Sequence, residues 1–180
     1  GLRHQADGDA EFLQIANELW GAFNPKTITE NKTGSGHVLW GQSLETILNN
    51  QQIKRDFEVT SHSGDAPITY IHRNDGDADF YFIANQRRTT EELVCTFRID
   101  GKQPELWDPI KGTTTLASLY RSQDGCTTLP IQLAPYGSVF VVFRSLPKAK
   151  PLTSISKGNL SILSSSPFPA VDRKLYKEVT

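Results

Sequence analysis

Leu93-Val94-Cys95-Thr96-Phe97-Arg98-Ile99-Asp100-Gly101 is the stretch that decides the fold. Leu93, Cys95, Phe97 and Ile99 recur at every second position, the period at which side chains of a strand return to one face, and Asp100-Gly101 carries the turn chemistry of a hairpin. Working outward, segments 68–72 and 79–84 flank the turn cluster Asn74-Asp75-Gly76-Asp77. Downstream, segments 105–107, 113–120, 127–133 and 138–143 are separated by Asp108-Pro109-Ile110-Lys111-Gly112, Asp124-Gly125 and Pro135-Tyr136-Gly137. Short runs at regular intervals predict a mainly β chain, an antiparallel β-sandwich of about seven to eight strands. Val94 and Val142 stand on faces opposite to Leu93/Cys95/Phe97 and to Val139/Val141/Phe143, which predicts partial cover on both sides of the strands.

The first third reads as α/β. Asp9 can cap a helix that carries Phe12, Ile15, Ala16, Leu19 and Trp20 at helical spacing, with Gly21 and Pro25 as stops. After a polar loop, Gly34-Ser35-Gly36 leads into a short strand at 37–40, and Ser43 caps a second helix with Leu44, Ile47 and Leu48 on one face. One strand with two helices leaves its edges open and needs a partner. The organisation expected is an α/β lead-in over 1–56 left from an upstream domain, a sandwich over 57–144, and over 145–180 a linker and the start of a following module. That last segment contains Pro147-Lys148-Ala149-Lys150-Pro151 and Ser164-Ser165-Ser166-Pro167.

Composition narrows the function classes. Nineteen Lys and Arg against twenty Asp and Glu give a formal net charge of −1, which leaves no basic footprint for nucleic acid. No run approaches the ~18 apolar residues that span a bilayer, so no membrane partner is expected, and any export leader is expected upstream. The two cysteines, Cys95 and Cys126, are too few for a disulfide scaffold; Cys95 reads as a small buried hydrophobe, and a Cys95–Cys126 bridge stays open. The sequons at Asn31 and Asn159 read as accidental.

The residues that could carry chemistry form no catalytic set. Asp75-Gly76-Asp77-Ala78-Asp79 spaces three carboxylates as a calcium loop does, but Phe80 replaces the turn glycine and the distal Glu is missing, so a polar hairpin loop is the better reading. His4, His37, His62 and His72 stand in no nucleophile–base arrangement. Glu58, Glu105 and Asp108 are carboxylates available for glycoside hydrolysis, yet Asp108 before Pro109 is turn chemistry and Glu105 opens a strand. No catalytic residue and no metal ligand is assigned. Trp40, Trp107, Tyr81 and Tyr120 could offer flat faces to sugar rings, although aromatic residues on strands mostly pack in cores; Trp107, Tyr81 and Tyr120 are the carbohydrate-binding candidates.

Tyr70-Ile71-His72-Arg73, Asp79-Phe80-Tyr81-Phe82-Ile83-Ala84-Asn85-Gln86, Cys95-Thr96-Phe97-Arg98, Pro104-Glu105-Leu106-Trp107-Asp108-Pro109 and Gly137-Ser138-Val139-Phe140-Val141-Val142-Phe143 follow one another in an order that resembles a known family. It is similar to the region after the catalytic barrel in family 106 glycoside hydrolases, the bacterial α-L-rhamnosidases. Gly34-Ser35-Gly36-His37-Val38-Leu39-Trp40-Gly41 is similar to the stretch just before it. The resemblance implies a parent that is exported (secreted, periplasmic or at the cell surface), calcium-dependent and active on rhamnosides of plant polysaccharide. Its acid and base glutamates would lie on an upstream barrel, and none matches a position here. The expectation is therefore a non-catalytic accessory sandwich with no cofactor of its own. Its partner would be the barrel of the same chain, and its role structural or domain-positioning. The alternative is a carbohydrate-binding module that stacks sugar rings on exposed aromatics.

Overall fold

In the computed structural model, the structure describes residues 5–21, 30–157 and 160–164, and the chain divides into two compact units, Gly1–Lys54 and Arg55–Thr180. His4, Pro25, Asn159 and the Ser-Pro tail after Ser164, each read above from sequence, lie outside the described residues.

The first unit opens with helix α1, Gln5–Trp20, followed by strands β1, Glu30–Thr33, and β2, Gly36–Leu39, and helix α2, Leu44–Asn50. Asp9 lies inside α1, one turn past its start, and does not cap it; Gln5 and Ala6 are adequate helix formers and extend the helix backward. Gly21 ends α1 at φ 59°, donating its N–H to the Asn17 carbonyl at 2.8 Å. The Asn31 side-chain amide donates to the carbonyls of Glu18 and Leu19, both at 2.9 Å, and so closes acceptors that the helix end leaves open. Residues 30–33, expected in a loop, instead pair antiparallel with β2 around Gly34-Ser35, where Gly34 takes φ 60°. Ser43 caps α2 as expected, its hydroxyl accepting from the Thr46 N–H at 3.1 Å. No described side chain of this unit is buried, and Phe12, Leu13, Ile15, Leu19 and Trp20 of α1 are all exposed.

The second unit is an antiparallel sandwich of nine strands in two sheets. One sheet joins β3 (Phe57–Ser61), β6 (Glu91–Phe97), β10 (Cys126–Leu133) and β9 (Arg121–Gln123) in the order β3-β6-β10-β9. The other joins β4 (Ile68–Asp75), β5 (Ala78–Asn85), β11 (Ser138–Ser145), β7 (Gln103–Asp108) and β8 (Thr113–Leu116) in the order β4-β5-β11-β7-β8. A further hairpin pairs β12, Ser154–Lys157, with β13, Leu160–Ser164. Between the sheets lie Phe57, Tyr81, Ile83, Leu93, Cys95, Phe97, Leu129, Ile131, Val141 and Phe143, all buried. The period-two reading of 93–97 and 139–143 is thus the core register itself. Tyr81 and Phe97 meet edge to face at 4.8 Å, and Phe97 and Phe143 lie 5.3 Å apart, a geometry that adds to their burial.

One turn and one strand differ from their sequence reading. Asp100-Gly101 is not a hairpin turn: both edges of β6 are taken, by β3 and by β10, so the next strand has no place beside it and the chain crosses to the other sheet as β7. Segment 113–120 is not one strand, because the chain leaves β8 after Leu116 and turns Ala117, Leu119 and Tyr120 into the core before β9 begins in the opposite sheet. Asp124-Gly125, with φ 52° and 74°, is the turn expected before 127–133, here closing a two-residue hairpin from β9, a short strand not read from the sequence, into β10. Cys95 and Cys126 are both free thiols, which closes the question of a bridge; burial pushes the Cys95 thiol far up.

Candidate functional site

Strand alternation gives the five-stranded sheet two faces, and the outer one carries the candidate site. Register pairs Ile71 with Phe82, Phe82 with Phe140, Phe140 with Trp107 and Trp107 with Thr114, one row across the sheet. The adjacent row runs from Arg73 through Phe80, Val142 and Glu105 to Leu116. Phe82 and Phe140 lie 4.9 Å apart, and Phe80 meets Trp107 edge to face at 6.1 Å. Ile71 and Leu116, at the two edges, are more than half exposed (54% and 56%). An antiparallel sheet that faces water alternates apolar-in with polar-out; here the outer face also carries a large apolar cluster, Ile71, Phe80, Phe82, Phe140, Val142, Trp107 and Leu116, beside polar Arg73, Glu105 and Thr114.

Within that face stands one polar constellation. Glu105, buried, accepts from Arg144 Nε on one carboxylate oxygen and from Trp107 Nε1 on the other, both at 3.0 Å. The guanidinium carbon of Arg144 lies 5.2 Å from the centre of the Trp107 ring. Burial alone would raise the Glu105 carboxyl, but the hydrogen bonds from Arg144 and Trp107 outweigh it and hold it below the ordinary carboxylate range. A cavity of about 440 Å³ opens beside this group. Its lining includes Gln103, Glu105, Thr114, Arg144, Ser145 and Lys148.

The three aromatic candidates part company. Tyr81 (0% exposed) and Tyr120 (1%) are core residues, and a correction follows: neither has a face to offer a sugar ring. Strand parity turned Tyr81 inward with Ile83, and the break after β8 turned Tyr120 inward. The hydroxyl of Tyr81 donates to Asp56 at 3.1 Å, and burial raises its pKa strongly. Trp107 alone lies on the outer surface, partly buried, with Arg144 against its ring. Glu105 and Asp108 do not form a carboxylate pair, since three residues along one strand put them on opposite faces. Asp108 accepts the Ile110 and Lys111 N–H groups at 2.9 and 3.0 Å and is turn chemistry, as its place before Pro109 predicts. Asp75 and Asp77 belong to the β4–β5 hairpin turn, with Gly76 at φ 59°.

Sequence reading missed a polar network at one end of the sandwich. His72 lies between two carboxylates, Nδ1 at 3.1 Å from Asp56 and Nε2 at 3.1 Å from Asp79, and its ring stacks on Tyr81 at 4.0 Å. Asp79 also accepts from Asn74 at 2.9 Å and Lys102 at 3.0 Å; burial raises its carboxyl, but these bonds together bring it below the ordinary range. A second cluster holds buried Glu91, which accepts from Ser63 at 2.7 Å and Ser61 at 2.8 Å and pairs with Arg87 at 3.4 Å. Only the alternation that turns Asp79 and Glu91 inward could have hinted at either. Among the described residues, no group of three or more His, Cys, Asp or Glu side chains could hold a metal ion, and no helix is long and apolar enough to cross a membrane.

The fold and its outer face define a two-sheet antiparallel sandwich joined to a small helix–hairpin–helix unit. The chain belongs to family 106 of the glycoside hydrolases, whose family model, described as α-L-rhamnosidase, matches residues 3–122. It is 31% identical to a rhamnosidase from Novosphingobium sp. PP1Y of solved structure, with a TM-score of 0.72 over 86% of this chain and 14% of that one. It is 33% identical over 168 residues to a protein of Formosa agariphila named "Putative beta-glucuronidase", covering 93% of this chain and 13% of that protein. The chain therefore spans about one seventh of the length of these relatives.

Proposed function

We propose that this chain is a non-catalytic accessory region of a larger, exported bacterial α-L-rhamnosidase-like hydrolase acting on plant-type polysaccharide, and that its role is to position a neighbouring domain. The observation that carries this reading is the outer face of the five-stranded sheet, where Phe80, Phe82, Phe140 and Trp107 form an aromatic surface on the side away from the core. An apolar face of this kind is what a domain packed against a second body presents. The chain's small share of its relatives' length supports the same reading. Any calcium or catalytic glutamates belong, in this proposal, to other parts of the larger protein. The rival role, a module stacking sugars on Trp107, Tyr81 and Tyr120, loses two of its three aromatics to the core.

The test uses Ile71→Asp with Leu116→Asp at the two exposed edges of the face. In the 180-residue chain the pair should shift stability by about 1 kcal/mol or less, as surface substitutions do. In the longer polypeptide encoded by the gene it should lower Tm and open new proteolytic sites; an unchanged Tm there would overturn the seating role. The chain alone should release no nitrophenol from an aryl α-L-rhamnoside, and measurable turnover would refute the non-catalytic assignment.

A further inference from the structure

The cavity beside Glu105 is built differently from the aromatic face it adjoins. Arg144 is held at two points, by the Nε bond to Glu105 at 3.0 Å and by the Trp107 ring, yet its side chain is 52% exposed. The bond to Glu105 is made through Nε, which leaves the two terminal amino groups outside it. A guanidinium fixed at its inner edge presents those two groups as a planar fork, which matches a carboxylate with little rotamer entropy left to lose. Glu105 neutralises Arg144, so Lys148, the other cation of the lining, leaves the cavity with a positive balance. The Thr114 hydroxyl supplies a further donor and acceptor, Leu116 and Leu146 supply apolar surface, and the Ser145 hydroxyl is taken by Glu105. A volume of about 440 Å³ lies within the ~300–1,000 Å³ of small-ligand sites.

We infer that this cavity is a binding subsite for a uronic acid residue, the sugar carboxylate taken by the Arg144 fork and Lys148, a ring hydroxyl by Thr114. Gln103 is not part of the recognition set, because its amide already donates to the Pro104 and Ala117 carbonyls at 3.0 and 2.8 Å. The inference rests on the chain's membership of a carbohydrate-active family. The cavity lies at one edge of the outer face and shares Leu116 with it, so it is tested in the chain by itself and without the Leu116→Asp substitution, which keeps its failure distinct from failure of the seating role. Trp107 Nε1–H, bonded to the same Glu105 that holds Arg144, is a reporter built into the site.

The experiment is a titration of the isotope-labelled 180-residue chain with sodium galacturonate and glucuronate, followed by the indole N–H resonance of Trp107. Rhamnose serves as the neutral control and acetate as the bare carboxylate. Saturable shifts with a uronate, absent with rhamnose and at least about tenfold weaker with acetate, are expected. Arg144→Lys should weaken binding about tenfold, since it keeps the charge opposite Glu105 but loses the fork. Lys148→Ala, at a solvent-exposed position, should weaken it about threefold without touching the fold. If Arg144→Lys perturbs the spectrum generally, Thr114→Ala with Lys148→Ala carries the test. No saturable shift at about 50 mM uronate, where a millimolar site is filled, overturns the inference. Equal binding of acetate and uronate overturns it too, because it would show an anion contact that does not read the sugar.

Discussion

Single side chains set the pH response of this protein. Glu91, Asp79 and Glu105 are all buried. The hydrogen bond from Ser63 leads in lowering Glu91, while for Asp79 and Glu105 burial raises the carboxyl and the hydrogen bonds to it prevail. Each carboxylate thus binds its proton less readily in the folded chain than in the unfolded one, so the stability it contributes is complete above the ordinary values of 3.8 and 4.5 and is lost as pH falls below them toward the folded pKa. Urea midpoints should be level from about pH 7 to 5 and fall steeply from about pH 4.5 to 3. Glu91→Gln should lower the midpoint at neutral pH and flatten the acid slope; a slope identical to that of the parent would show that Glu91 does not contribute to it. The same scale separates the two deciding aromatic sites. Tyr81 and Trp107 look alike in sequence, each an aromatic residue in a strand pattern, and only the register tells core from surface.

At the scale of the element, alternation is the organising fact. Phe97 on β6 and Phe140 on β11 are both aromatic residues in the middle of strands, but the first is sealed between the sheets and the second lies on the outer face beside Phe82. Phe97→Ala should cost about 3–5 kcal/mol, the usual range for emptying a core aromatic site. Phe140→Ala should cost about 1 kcal/mol in the chain by itself, where part of its surface is already wet. Denaturant unfolding checks both, and equal losses would contradict the assignment of faces. Elements also explain why one turn differs from its sequence reading and a like one does not. The dipeptides Asp100-Gly101 and Asp124-Gly125 offer the backbone the same left-handed positions, and φ is positive at Gly101, Asp124 and Gly125. One closes a hairpin and the other crosses between sheets because β6 already has two neighbours. Local turn chemistry allows either outcome.

Over the whole molecule, the two units differ in what they bury. The sandwich from Arg55 onward closes a core around Tyr81, Phe97, Leu129 and Phe143, whereas no described side chain before Lys54 is buried. Burial of apolar surface is the main term that offsets the entropy of ordering a chain, so the two should behave differently when separated. A polypeptide of residues 55–180 should give a dispersed amide spectrum and a cooperative melt, while residues 1–54 alone should show neither. A cooperative melt of the short piece would mean that its exposed α1 face needs no covering.

The sequence by itself determined most strands of the sandwich, most of the turns, the inward face of 93–97 and 139–143 and, through the order of its blocks, the family. These follow from period, propensity and turn residues, which act over a few neighbours along the chain. Tertiary structure decided which strand edge was free, and hence that Asp100-Gly101 crosses between sheets and that Tyr120 turns inward. It also decided which carboxylates meet partners: Glu105 with Arg144, 39 positions away, and Asp79 with His72 and Lys102. Such meetings depend on register between strands distant in the chain, and no local pattern encodes them.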